Sequence, residues 1–230
     1  MAAKSGCGSS TIGAIFKHLS YMSMPVKCIL YNHLPHRHCP YFMNIFNKGE
    51  MHMSSGATVW LTGLSGAGKT TICRLVEEKL AAAGLPVELL DGDVVRRQLC
   101  ADLGFSREDR FRNIERVAYV AKLLTRNRVI VLASFISPYR SMRDYVRQEI
   151  APFIEVYVKC SLEECIRRDV KGLYRKAING EIAHFTGISD PYEEPGQPEL
   201  VVDTEQETEE ASAAKVVEYL IARGYIDARF

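Results

Sequence analysis

The run Gly63-Leu64-Ser65-Gly66-Ala67-Gly68-Lys69-Thr70-Thr71 fills every fixed position of the pattern G-x-x-x-x-G-K-[ST]. It constrains this chain more than any other stretch. A loop with little side-chain bulk can aim successive backbone N–H groups at a polyphosphate, Lys69 can reach the β- and γ-phosphates, and the Thr70 hydroxyl can ligate Mg²⁺. The alternative is a glycine-rich turn without a ligand, and the flanks speak against it. Thr58-Val59-Trp60-Leu61-Thr62 before the loop reads as a buried strand, and Ile72 to Ala83, with Ile72, Leu75, Val76, Leu80 and Ala83 at helical spacing, reads as the helix after it.

With 230 residues and 47% hydrophobic content the chain can bury one good core, so a single globular domain with an appendage is expected. The formal net charge of +1 hides an asymmetry: Lys4, Lys17, Lys27, Arg37 and Lys48 give residues 1–49 a charge of +5 with no Asp or Glu, leaving −4 for the rest. That balance argues against a nucleic-acid partner and leaves anion recognition to local Arg and Lys clusters. Seven cysteines form no C-x-x-C pair, and the odd count predicts free thiols in a reducing compartment. Apolar runs are of strand length, so no membrane span is expected.

Residues 1–53 are rich in His, Ser, Met and Cys, lack acidic residues before Glu50 and show no periodicity, which predicts a poorly ordered extension or presequence. The expected location is the cytoplasm, or a plastid or mitochondrion if this segment is a targeting presequence; an internal start at Met51 or Met53 is a further reading. His33, His36, His38 and Cys39 have metal-like spacing but no second ligand pair in an ordered frame.

From residue 54 to 230, strand-like and helix-like segments alternate, which predicts an α/β fold with a parallel sheet flanked by helices on both faces. Val87 to Leu90, Val129 to Ala133, Ile154 to Val158 and Leu200 to Val202 supply further strands, while Arg107 to Asn127, Leu162 to Asp169 and Glu207 to Arg223 read as helices. Lys171 to Pro198, dense in Gly and Pro yet carrying basic and aromatic residues, suits a long mobile lid.

Asp91 and Asp93 fall just past a predicted strand, where an open parallel sheet places its ligand crevice. There they can hold Mg²⁺, directly or through water, and orient an attacking hydroxyl; alternatively Asp93 caps the next helix. Arg96 follows one helical turn later. Ser106 reads as the N-cap of the helix that carries Arg110 and Asn113 on one face, with Asp109 at the capping-box position. Ser134 to Arg140 ends another strand on the same edge, with Pro138 at the first helical position and Ser137 either its N-cap or a substrate contact.

Read in order from Val59 to Val202, W-L-T-G-L-S-G-A-G-K-T-T, L-D-G-D-x-x-R, L-G-F-S-x-x-D-R-x-x-N-I, S-F-I-S-P-Y-R, R-D-V-K-G-L-Y-x-K-A and F-T-G-I-S-D-P-Y-E-x-P resemble the adenylylsulfate kinase (APS kinase) family, which includes the kinase part of PAPS synthases. The first block is shared by many P-loop NTPases, whereas the others in this order are specific to that family. The resemblance implies a P-loop fold and transfer of the ATP γ-phosphoryl group to the 3′-hydroxyl of adenosine 5′-phosphosulfate (APS), giving PAPS and ADP. It also implies an APS site of Asp93, Arg96, Phe105, Arg110 to Asn113, Ile136, Ser137, Lys171, His184 and Phe185, in which Phe105 and Phe185 sandwich adenine and Arg96, Arg110 and Asn113 hold the phosphosulfate. Mg²⁺ near Thr70 and Asp93, together with Lys69, would offset charge on the transferred group. Some relatives carry a phosphorylatable serine at the position of Ser137, but nothing near it in sequence resembles a base assigned to it. A homodimer and a stand-alone kinase without a sulfurylase domain are further expectations. Glu115 stands where Arg is common, and His184 where Gly or Lys is more usual.

The competing readings are another small-molecule kinase of the same fold or a nonenzymatic nucleotide-binding module. A GTP switch is disfavoured, because no N-K-x-D follows the loop.

Overall fold

A computed structural model describes residues 55–227. The expectations for residues 1–53, including the presequence, the internal start and the His33, His36, His38 and Cys39 set, lie outside the described residues.

Five parallel strands form one sheet: β1 (Ala57–Thr62), β2 (Val87–Asp91), β3 (Ile130–Ser134), β4 (Phe153–Lys159) and β5 (Leu200–Asp203), in the order β2-β3-β1-β4-β5. Helices α1 (Lys69–Ala82), α2 (Gly92–Gln98), α3 (Arg107–Arg126), α4 (Arg140–Glu149), α5 (Leu162–Arg168), α6 (Leu173–Ile178) and α7 (Glu209–Ala222) connect or close them. Each expected strand and helix is present, with ends shifted by up to three residues. The fold is the P-loop α/β architecture.

The period-2 alternation of the central strands divides the core between two faces. Val59 and Leu61 of β1 and Ile130 and Leu132 of β3 pack with Ile72, Val76 and Leu80 of α1 and with Val216 and Leu220 of α7. Trp60, Val131 and Ala133 point the other way, onto Ile114, Val117 and Ala121 of α3 and Met142 and Val146 of α4. β1 and β3 are neighbours, yet the chain leaves β1 for a helix on one face and β3 for a helix on the other. Between their carboxyl ends the connections diverge, and a crevice opens there.

That crevice has a defined edge because the strands are in register. Ser134 of β3 pairs with Leu61 of β1 on one side and with Asp91 of β2 on the other. Immediately beyond β1 the chain must turn beside β4, and Gly63 (φ 152°) makes this possible: a Cβ there would sit 2.5 Å from the Val158 carbonyl oxygen.

Two expected helix starts are corrected. Asp91, not Asp93, caps α2, its Oδ1 accepting from the Asp93 and Val94 amides at 3.0 and 3.2 Å. α4 begins at Arg140 rather than at Pro138, because Ser137 is held in the left-handed region (φ 39°) and its hydroxyl points into the protein. The open Arg140 amide is capped instead by the Glu193 carboxylate at 2.7 Å, from a segment far away in sequence. By contrast Ser106 does cap α3, its Oγ accepting from the Asp109 amide at 3.1 Å while Asp109 accepts from the Gly104 amide at 3.0 Å.

The expected lid contains a helix the sequence pattern did not reveal, α6, whose six residues are too few to display a period. Its far end is anchored by charge. Arg143, 2% exposed, donates to the Glu193 carbonyl oxygen at 2.6 Å, and its Nε lies 2.8 Å from Glu155 Oε1, a Coulombic contact off the N–H axis. Arg147 joins Glu155 (3.1 Å) to both carboxylate oxygens of Glu199, and Glu199 Oε2 also accepts from the Glu155 amide at 2.7 Å. Removing one partner of such a buried pair leaves a desolvated charge behind. We expect Glu155→Ala to lower unfolding free energy by about 3 kcal/mol in urea titrations; a midpoint equal to wild type would sink this account of the anchor.

Candidate active site

Between β1 and α1 the chain forms the phosphate-loop hairpin, closed by the Ala67 amide donating to the Leu64 carbonyl at 3.2 Å. Gly68, the N-cap of α1, has φ 97° and no side chain to cover the first-turn amides, which remain available to an anion. Lys69 is buried, and its Nζ donates to the Gly63 and Leu64 carbonyl oxygens at 2.9 and 2.7 Å. Burial lowers its pKa to about 8, because the ammonium has exchanged water for two carbonyls. An arriving polyphosphate supplies the opposite charge that this ammonium lacks.

At the strand ends, the Thr70 hydroxyl donates to Asp91 Oδ2 at 2.9 Å and lies 3.1 Å from the Ser134 hydroxyl. Asp91 is therefore fully engaged, one oxygen on the α2 amides and the other on Thr70. Asp93, the expected metal partner of Thr70, is oriented differently: its exposed carboxylate pairs with Lys171 of the lid. Thr70, Asp91 and Ser134 together present a set of hard oxygen donors that suits Mg²⁺ completed by phosphate oxygens and water. No cluster of three His, Cys, Asp or Glu that could hold a metal ion occurs among the described residues.

One cavity of about 710 Å³ joins this phosphate end to the expected acceptor residues. It is lined by Ser65, Gly66, Gly68, Lys69, Thr70 and Thr71 together with Asp91, Asp93, Arg96, Phe105, Arg110, Asn113, Ile136, Ser137, Lys171, His184 and Phe185. Of the expected site residues, Gly63, Leu64 and Ala67 of the phosphate loop and Phe111 and Arg112 of the Arg110 to Asn113 block are not in its wall. The first three shape the loop from behind.

Within the acceptor half, Phe105 is an exposed aromatic (58%) with two guanidinium groups near its ring, Arg96 at 4.6 Å and Arg110 at 5.8 Å from the ring centre. These arginines are already bonded: Arg96 to the Leu103 and Gly104 carbonyls at 3.2 and 2.6 Å, Arg110 to the Phe105 carbonyl (2.9 Å), to Thr186 Oγ1 (3.0 Å) and to the His184 carbonyl. Their first role is thus to fold the loop before α3 and the lid around Phe105. Asn113 is different. It is 4% exposed, lines the cavity and has no partner for its side-chain oxygen, an acceptor waiting for a donor. His184 (φ 56°) is held by its backbone and by Asp190, 3.4 Å from its Nδ1, while Phe185 packs edge-on against Tyr174 at 5.0 Å between centroids.

Ser137 is 3% exposed, and its hydroxyl accepts from the Trp60 indole N–H at 3.1 Å and donates to Thr62 Oγ1 at 3.1 Å. Its carbonyl accepts from Arg143 at 2.6 Å, which holds the left-handed backbone in place at a cost of about 1–3 kcal/mol. These bonds fix the Ile136 to Pro138 turn, and neither partner of the hydroxyl, Trp60 or Thr62, is a carboxylate or imidazole that could serve it as a base. Ser134, Tyr174 and Thr186 also line the cavity and were not among the expected site residues. Only Ser134 had a signal, a hydroxyl ending an apolar strand.

Comparison with known proteins agrees with this geometry. Residues 55–203 match the family described as adenylylsulphate kinase. The chain belongs to the adenylylsulphate kinase family. It is 59% identical over 177 residues to an adenylyl-sulfate kinase of Halothermothrix orenii, covering 77% of this chain and 96% of the relative, and 59% identical over 162 residues to a probable adenylyl-sulfate kinase of Pseudomonas aeruginosa, covering 70% and 76%. Among solved structures, the Mycobacterium tuberculosis APS kinase CysC in complex with AMPPNP and APS superposes with a TM-score of 0.70 at 44% identity, over 72% of this chain and 97% of that one. Membership makes the chain an ATP-using P-loop kinase. Among the described residues, no helix is long and apolar enough to cross a membrane.

Trp60 is the chain's single tryptophan, so it reports on Ser137 directly. We expect Ser137→Ala, which leaves the buried indole N–H without an acceptor, to cost about 1–2 kcal/mol of stability in denaturation followed by tryptophan emission. An unchanged midpoint would show that the indole bond contributes nothing.

Proposed function

We propose that the chain transfers the γ-phosphoryl group of ATP to the 3′-hydroxyl of APS, releasing PAPS and ADP. The observation that carries this reading is the single cavity that holds a phosphate loop at one end and Phe105, Asn113 and Phe185 at the other. In this reading two nucleotides meet there, the second end offering flat rings, an unpaired acceptor and the guanidinium groups of Arg96 and Arg110. The M. tuberculosis relative that is described in complex with an ATP analogue and APS supports it.

ATP enters with its phosphates over the α1 N-terminus, where loop amides and Lys69 replace their water. Thr70, with Asp91 and Ser134 behind it, is the donor set that would hold Mg²⁺ brought in with ATP, partly through water, and the ion would there supply positive charge against the phosphates. Asp93 is the carboxylate assigned to the acceptor, since both Asp91 oxygens are already bonded, to the α2 amides and to Thr70. It orients the 3′-hydroxyl and accepts its proton as the oxygen bonds to the γ-phosphorus and the bridging oxygen departs with ADP. Lys171, which pairs with Asp93, lies close enough to counter the charge that develops. Phe105 and Phe185 stack the acceptor adenine, and Arg96, Arg110 and Asn113 line the remainder. Direct in-line transfer needs no phosphoserine.

Incubation with ATP and APS should give Mg²⁺-dependent formation of ADP and PAPS, with little turnover on gluconate, shikimate or nucleoside monophosphates. ATP binding without consumption of APS would favour a nonenzymatic module instead. Asp93→Asn is expected to lower kcat by about 10²-fold or more while both substrates still bind. Ser137→Ala is expected to keep kcat within a few-fold of wild type, and loss of turnover with intact binding would favour a covalent step. The family resemblance further supports a homodimer, which light scattering of the purified chain tests: a monomeric mass would exclude it.

A further inference from the structure

Tyr174 of α6 touches both halves of the cavity. It is 1% exposed, and its hydroxyl donates to the Ser65 carbonyl oxygen of the phosphate loop at 2.9 Å. Its ring meets Phe185 edge to face, 5.0 Å between centroids with the planes at 77°. Such an edge-to-face pair fixes the orientation of both rings. α6 is itself held in place by Asp169, whose two oxygens accept from the Tyr174 and Arg175 amides at 2.9 and 3.1 Å. The lid also bears on the loop at a second point, Gly187 (φ 92°), where an added Cβ would lie 3.2 Å from a methyl of Leu64.

The Ser65 carbonyl and the Gly66 N–H belong to one planar peptide unit, in which they point in opposite directions. Holding the carbonyl on the phenol therefore fixes the direction of the Gly66 amide in a loop that lines the cavity. Without that bond, Gly66 at φ 77° has no side chain to restrain it. Tyrosine suits the task because its rigid body has one apolar edge for Phe185 and one polar tip for the loop.

We propose that Tyr174 is a positioning residue that couples the phosphate loop to Phe185, setting the aim of a donor-binding amide with its hydroxyl and the plane of the acceptor-stacking ring with its edge. The inference rests on the two-nucleotide reading of the cavity. Its consequence is a division of labour within one side chain: the hydroxyl acts on ATP, the ring on APS.

Steady-state kinetics of wild type, Tyr174→Phe and Tyr174→Leu, each substrate varied in turn, together with calorimetric titration of AMPPNP, test it. Tyr174→Phe is expected to raise the KM for ATP and the Kd for AMPPNP about fivefold while the KM for APS stays within twofold. Tyr174→Leu is expected to raise both KM values, and comparison of the two variants isolates rescue of the acceptor side by a ring. Lower melting temperatures with unchanged KM values in both variants would overturn the proposal, as would equal rises in both KM values for the Phe variant. A wild-type chain that never consumes APS overturns the functional reading and with it the acceptor half. The AMPPNP affinity of Tyr174→Phe then decides the donor half by itself, an unchanged Kd overturning it.

Discussion

The strand register at Ser134 is the constraint on which the site depends. Because Ser134 faces Leu61 on one neighbour and Asp91 on the other, the carboxyl ends of three parallel strands stop at one level. The first residues beyond them, the phosphate loop, the Asp91-Gly92-Asp93 turn and the Phe135 to Pro138 turn, then face a common space. Slipping β1 or β3 by a single residue would exchange the side chains fitted to its two packed faces, so the packing that stabilises the sheet also sets the position of the polar groups. Thr70 bonded to Asp91 and close to Ser134 is the direct product of that alignment.

The lid is fastened by polar contacts rather than by apolar packing alone. Arg110 bonds Thr186 and the His184 carbonyl near its centre, and Arg143 bonds the Glu193 carbonyl at its end. Both arginines are nearly buried, and each also bonds the backbone of a substrate-side loop, Phe105 for Arg110 and Ser137 for Arg143. A guanidinium has five donors in a fixed fork, which is why one side chain can serve two segments at once. The loops of the acceptor half and the lid are thereby folded as one unit.

Much of this was legible in the chain. The phosphate loop, the alternation of strands and helices, the Ser106 cap and the membership of Asp93, Phe105, Asn113 and Phe185 in one site follow from local spacing or from the resemblance of ordered blocks. What was misread has a common cause. Asp91 and Asp93 are equivalent by composition, and only the path of the chain into α2 puts Asp91 on the amides and on Thr70. Pro138 after Ser137 is a sound local signal for a helix start, but Trp60, Thr62 and Arg143 together hold Ser137 in a conformation that a helix start does not allow. α6 was hidden because it is short and held by Asp169 and by burial of Tyr174, not by a repeating pattern.

The amino-acid sequence alone determined that this chain builds a parallel sheet with a phosphate-binding loop at the end of its first strand, because glycine spacing and apolar periodicity act over a few residues. The tertiary structure alone decided which carboxylate meets Thr70, why Ser137 is held in a left-handed turn, that Glu193 caps a helix it does not adjoin and that Tyr174 reaches both Ser65 and Phe185. Those contacts join residues far apart in the chain. Their partners are selected by how packed elements exclude water and leave each buried donor one acceptor, and no local pattern encodes that choice.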